Sequence, residues 1–291
     1  MNPAAFTYHK VGSLDEAIGL LDAHGEDAKV LAGGHSLLPI MKLRLVEPDH
    51  LVDIDGVGEL RGIDLAGDVL RIGALTTHRQ LERDPLVGQH VPLLAETAAQ
   101  VGDRQVRNRG TIGGALAHAD AAADYPAAIL ALDATVVARG PAGERRIAAG
   151  DFFVDLLTTA LASDEILTAI EVPVMTAGSG GSYQKLANQA SGYALVGVAA
   201  VVMVDGTGRC VEARVGVTGA LAAARRASET ENLLRGKAAD GAAIVAAAAR
   251  AGEGLDLLDD LHASAEYRQR VLVGLTRRAL TTAVERANPR R

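Results

Sequence analysis

The chain has 291 residues, 48% of them hydrophobic and 22% charged, with a net charge of −7. That length suits two domains rather than one core, and the apolar share excludes general disorder. The acidic balance argues against nucleic acid as a partner; with no apolar run long enough to span a membrane and no signal peptide, a cytoplasmic protein is expected.

Residues 6–9 form a short strand candidate. Ser13 and Glu16 have the spacing of a capping box, which starts a helix running to about His24 and stopped by Gly25. A buried strand over 29–32 runs into Gly33-Gly34. Residues 37–45 open with a helical turn, and 51–54 read as another strand. Strand and helix alternate over about 1–55, which predicts a small parallel βαβ unit.

From residue 56 the pattern changes. Residues 60–65 and 69–72 flank Ala66-Gly67-Asp68 as a hairpin. A short helix opens at 76–79, and a longer one covers 92–101 with Pro92 at its first position. Residues 105–109 lead into a second Gly-Gly loop at 111–114. A helix over 125–132, a hairpin over 135–139 and 145–148, and a strand over 165–172 follow. Residues 176–182, rich in Gly and Ser, read as a flexible linker between domains 1–176 and 177–291. Beyond it, 183–186, 194–204 and 210–218 predict three antiparallel strands, and helices follow at about 229–235, 239–251 and 263–287. Ser264 suits the N-cap of the last helix, and the basic tail 286–291 is expected to fray. The fold class is α+β: a two-part first domain (about 1–55 and 56–176), with a small parallel unit and a mixed or antiparallel sheet, then a smaller domain of three antiparallel strands and three helices.

Two stretches carry the chemistry. In Ala32-Gly33-Gly34-His35-Ser36-Leu37 the paired glycines let the backbone take positive φ and approach a ligand closely. Successive N–H groups there form an anion-binding concavity, with His35 and Ser36 as further donors. Thr111-Ile112-Gly113-Gly114 again joins a hydroxyl to Gly-Gly. Neither loop is followed by Gly-Lys-Ser/Thr, and neither fits Gly-x-Gly-x-x-Gly. Residues alone therefore reach a two-loop anion or nucleotide site and leave the nucleotide open.

Ala32-Gly33-Gly34-His35-Ser36-Leu37-Leu38-Pro39 with Met41-Lys42, followed by Asn108-Arg109-Gly110-Thr111-Ile112-Gly113-Gly114, resembles the medium, flavin-binding subunit of the molybdenum hydroxylases. That family includes aerobic carbon monoxide dehydrogenase and xanthine dehydrogenase. The resemblance covers essentially the whole chain. It implies a PCMH-type first domain, FAD in this chain with both loops at its pyrophosphate, and electron transfer to an external acceptor. It also implies partners: a small subunit with [2Fe-2S] clusters and a large subunit with the molybdenum cofactor, in a heterotrimer or a dimer of heterotrimers. Cys210 is the only cysteine, so no four-cysteine cluster can form within this chain, in contrast to family members whose flavin subunit carries its own. A stand-alone flavin oxidase and a non-redox nucleotide-binding module are the alternatives.

The resemblance extends to single residues. Asp124 matches a position that contacts FAD; a carboxylate suits ribityl hydroxyls, and it equally suits the start of the helix at Tyr125. Leu167 matches a position packed on the cofactor, and Lys185 one beside the flavin. Tyr193 is a candidate to lie against the isoalloxazine. His118, Asp120 and Asp124 read as mutual hydrogen bonding at a loop–helix junction rather than as a metal site, and no metal is expected. No nucleophile–base pair is present, so no residue is assigned a catalytic role.

Overall fold

The computed structural model describes residues 2–288. The first unit is strand β1 (Thr7–Lys10), helix α1 (Leu14–His24), strand β2 (Ala28–Leu31), helix α2 (Leu37–Lys42) and strand β3 (His50–Asp53). The strands pair in parallel in the order β1-β3-β2, as the alternation of strand and helix predicts. Ser13 caps α1 by accepting the Glu16 N–H, while the Glu16 carboxylate reaches past the cap to the N–H of Gly12. Leu14, Ala17, Ile18 and Leu21 on one face of α1 close over Val52 and Ile54.

Next come β4 (Ile63–Ala66) and β5 (Val69–Gly73), then the helices α3 (His78–Arg83), α4 (Pro85–His90), α5 (Pro92–Ala99), α6 (Arg104–Arg109), α7 (Ile112–His118) and α8 (Tyr125–Ala131). Strands β6 (Thr135–Gly140) and β7 (Gly143–Ala148), the one-turn α9 (Ala149–Phe152), the small hairpin β8 (Phe153–Asp155) and β9 (Thr158–Thr159), and β10 (Ile166–Pro173) complete this part. The five-stranded sheet is antiparallel in the order β4-β5-β10-β6-β7. Six elements here are absent from the sequence reading: α4, α6, α7, α9, β8 and β9. Asp84 caps α4 ahead of Pro85, and Asp103 caps α6; both are cap signals in segments too short to show a helical period. The second Gly-Gly is not a loop: Thr111 accepts the Gly114 N–H and starts α7, so its glycines lie in the first turn of a helix.

The last unit holds β11 (Ser179–Ala187), β12 (Ala194–Val204), β13 (Cys210–Thr218) and β14 (Arg225–Arg226), followed by α10 (Ser228–Leu234), α11 (Gly241–Ala248) and α12 (Ala265–Ala287). The two-residue β14 adds a fourth strand to the three expected. The linker reading of 176–182 is corrected, because β11 already begins at Ser179. Its glycines are there for contact rather than flexibility. A Cβ on Gly180 would overlap the Ala283 carbonyl of α12, and one on Gly181 would lie 3.1 Å from the Leu93 Cβ. Ser264 caps α12 as expected. Arg286 lies in that helix, with its guanidinium on Glu96 and on the Gly181 carbonyl; Asn288 caps it, and 289–291 lie outside the described residues. No helix among the described residues is long and apolar enough to cross a membrane.

Candidate functional site

The two glycine segments meet. Strand β2 ends at Leu31 and delivers Ala32–Leu37 onto the stretch joining α6 to α7. The approach is so close that a Cβ on Gly33 would overlap the Arg109 carbonyl and lie 2.8 Å from the Gly110 Cα. Gly34 takes φ +76°, which turns the chain back toward α2. Gly113 lies against Ala74, with 2.6 Å left for a Cβ. The junction is locked by Ile112 N–H on the Thr76 carbonyl (3.0 Å) and Gly113 N–H on the Ala74 carbonyl (2.9 Å).

The two glycine segments therefore differ in what they can offer a ligand. Among the described residues, the N–H groups of Gly33, Gly34, His35 and Ser36 meet no protein acceptor. Those of Ile112, Gly113 and Gly114 are all paired inside the protein. The first segment supplies donors; the second, the start of α7, supplies a close-packed wall and the Thr111 side of the cavity.

That cavity has a volume of about 440 Å³. All six residues Ala32–Leu37 line it, with Thr111, Gly113, Gly114, Asp124, Leu167 and Tyr193. Leu167 stands where β10 slips register against β6, which aims it inward. Two of the expected residues do not line it. Ile112 is fully buried in the core. Lys185 is engaged elsewhere: its Nζ lies 2.9 Å from Asp124 Oδ1, 2.7 Å from the Gln100 carbonyl and 3.0 Å from that of Gly192.

Asp124 thus joins the cavity to a buried network. Tyr183 donates its hydroxyl to the same Oδ1 at 2.5 Å. Burial pushes the Asp124 carboxyl above the usual range, against the pull of Lys185 and Tyr183. The segment before it is pinned from the last unit. Thr218 Oγ1 donates to the carbonyls of Ala121 (3.0 Å) and Ala123 (2.8 Å), and Gly219 N–H donates to the former (2.7 Å). The Tyr193 hydroxyl is pushed up mainly by burial, then by Asp120, and Ser36 opposes the shift. The mutual bonding expected of His118, Asp120 and Asp124 does not form: Asp120 accepts the Ala122 N–H instead.

His78 and Tyr125 also line the cavity, and the sequence reading missed both. Tyr125 Oη and His78 Nδ1 are 3.0 Å apart. Burial first, then His35 and Arg107, lowers the His78 pKa to about 4, so its ring is neutral at pH 7. The available signal was weak: a His directly after Thr77, which caps α3 in a complete capping box.

Comparison with known proteins agrees with this construction. Residues 4–175 match the family described as FAD binding domain in molybdopterin dehydrogenase, and residues 181–283 match the CO dehydrogenase flavoprotein C-terminal domain. The chain is 39% identical to the 6-hydroxypseudooxynicotine dehydrogenase complex subunit alpha of Paenarthrobacter nicotinovorans, over 99% of this chain and 98% of that one. It is 40% identical to the carbon monoxide dehydrogenase medium chain of Hydrogenophaga pseudoflava, over 97% and 98% respectively. A solved structure of carbon monoxide dehydrogenase from that organism superposes with a TM-score of 0.95 at 42% identity, covering 98% of this chain and 99% of that chain.

Fold and site together define an FAD-binding oxidoreductase subunit. The chain belongs to the family of medium, flavin-binding subunits of molybdenum hydroxylases, of the carbon monoxide dehydrogenase type. FAD is its cofactor, and the cavity suits it: unpaired N–H groups at a cradle where a Cβ would not fit match an anionic pyrophosphate.

Proposed function

We propose that this chain is the electron-transfer subunit of a multi-subunit molybdenum hydroxylase. In this reading a large partner with the molybdenum cofactor oxidises the substrate, and a small partner with [2Fe-2S] clusters relays electrons to FAD here for an external acceptor. The assembly is a heterotrimer or its dimer, in the cytoplasm. The single cysteine supports clusters held elsewhere. The observation that carries the reading is the row of free N–H groups at Gly33–Ser36, set against the Thr111–Gly114 wall in a chain that matches these subunits along its length.

Bound FAD takes up and releases electrons singly or in pairs. The protein's part is to hold it. The Gly33–Ser36 amides face the pyrophosphate without a counter-charge of their own. Asp124, kept from phosphate by its charge, accepts from ribityl hydroxyls. Leu167 and Tyr193 cover the apolar part. Ala32, His35, Leu37, Thr111, Gly113 and Gly114 complete the contacts, while Lys185 acts through Asp124 and Ile112 by packing. Residues 1–176 form the FAD-binding domain and 177–291 the C-terminal flavoprotein domain.

Gly33→Val and Gly113→Val test this directly. Each forces apart the contacts that close the cavity, and purified protein is expected to lose at least 90% of its bound flavin by visible absorbance. Wild-type chain is expected to turn over no small substrate alone, and to have its flavin reduced only when both partners and their substrate are present. Flavin retained in both variants overturns the site, absence of flavin from the wild type leaves a nucleotide module, and turnover by the isolated chain makes it an oxidase.

A further inference from the structure

Three histidines converge on the first unit, away from the cavity. Thr7 pairs with His50 and His9 with Val52 in the β1–β3 ladder, so side-chain alternation puts His9 and His50 diagonally on one sheet face. Val52, on the same face, packs under α1. His24 ends α1 one turn past the buried Leu21 and comes down on that face. The His24 and His50 rings stack with centroids 3.6 Å apart at 14°, and His9 stands 5.2 Å from His50. His9 Nε2 and His50 Nδ1 are 2.9 Å apart. One ring nitrogen from each of the three lies within 4.8 Å of the others, and all three residues are half-buried. None lines the flavin cavity.

We propose that His9, His24 and His50 bind one Zn²⁺ ion. A tetrahedral ion with Zn–N bonds of about 2.0–2.1 Å needs its nitrogens roughly 3.3 Å apart, within the 4.8 Å over which they already gather, and needs the stacked His24 and His50 rings to turn until their lone pairs converge on it. An all-imidazole set selects a late first-row divalent ion over magnesium or calcium, which demand oxygen ligands. The carbonyl end of α1 points its negative pole at the same spot. Three protein ligands leave the fourth position to water on the exposed side. The ion would tie together β1, β3 and the end of α1, the frame from which β2 launches the Gly33-Gly34 loop.

The test uses full-length protein without a histidine tag, stripped with chelator and titrated with Zn²⁺ against a chromophoric competitor at pH 7.5. One equivalent is expected to bind, with a higher thermal midpoint, and Co²⁺ is expected to give the intense visible bands of a four-coordinate site. His24→Gln is expected to weaken binding at least tenfold while leaving far-UV circular dichroism, flavin content and the metal-free midpoint unchanged; His9→Gln and His50→Gln are expected to do the same to binding. No saturable uptake at micromolar Zn²⁺ overturns the proposal. So does uptake equal in wild type and His24→Gln, which would move the ion to other histidines, such as those at the cavity.

Discussion

The neutral ring of His78 makes the cavity wall sensitive to acid. Its pKa of about 4 in the fold lies below the 6.5 of an exposed histidine. Between those values the unfolded chain binds a proton that the native chain refuses, so this residue's contribution is complete above pH 6.5 and is lost as pH falls toward 4. At about 1.4 kcal/mol per pH unit the loss is about 3 kcal/mol. Urea titrations at pH 7, 5.5 and 4.5 are expected to show that slope in the wild type and a shallower one in His78→Asn. Lys185 presents the opposite case, a charge that serves another charge. Its side chain and that of Asp124 are 6% and 5% exposed, so Lys185→Met strands a carboxylate in the interior. A loss of about 3–5 kcal/mol is expected in chemical denaturation, with much of it recovered when Asp124→Asn is added. The resemblance set Lys185 beside the flavin; its partner Asp124, 61 positions earlier, becomes visible only once the last unit docks.

Elements were legible where their period is long and their caps are conventional. The capped α1, the parallel β1–β3 pair and the whole run of α10, α11 and α12 follow from pattern and punctuation alone. Both glycine segments of the cavity were also legible, because paired glycines beside hydroxyl residues stand out locally. What misled was glycine itself, which marks flexibility and close approach with the same letter. Gly178-Ser179-Gly180-Gly181-Ser182 looks like a linker and is mostly an edge strand, because α12 needs bare backbone to lie on. Gly113-Gly114 looks like a loop and is the first turn of α7, because Ala74 occupies the place of a side chain. In neither case does the sequence nearby contain the neighbour that forces the glycine. Gly180→Val checks the first reading. A flexible linker would tolerate it, whereas a packed strand is expected to lose about 2–3 kcal/mol or more from overpacking against α12, read as a lower urea midpoint with an unchanged slope.

At the level of the whole molecule, the boundary near residue 176 divides the sequence more cleanly than it divides the core. Tyr183, Ala199, Val201, Ala223 and Ala224 belong to the same buried cluster as Leu93, Ala127, Tyr125 and Val172. Gly216 of β13 lies against the Ala127 carbonyl, where no Cβ would fit. The stretch that carries Asp120 and Asp124 to the cavity depends on Thr218, Gly219 and Ala194 for its backbone hydrogen bonds. Arg268 of α12, 2% exposed, extends this support by donating to the carbonyls of Leu195 and Gly219 and pairing with Asp260. Two units that share a core and whose site is braced across the boundary unfold together, because losing either one removes burial from the other. Circular dichroism and flavin release are therefore expected to report one coincident thermal transition. A chain cut after residue 176 is expected to bind no flavin although it retains both glycine segments, since the segment bearing Asp124 has lost its supports. Two separated transitions, or a flavin-loaded 1–176 fragment, would mean that the last unit is an appendage and that the cavity is built by the first two alone.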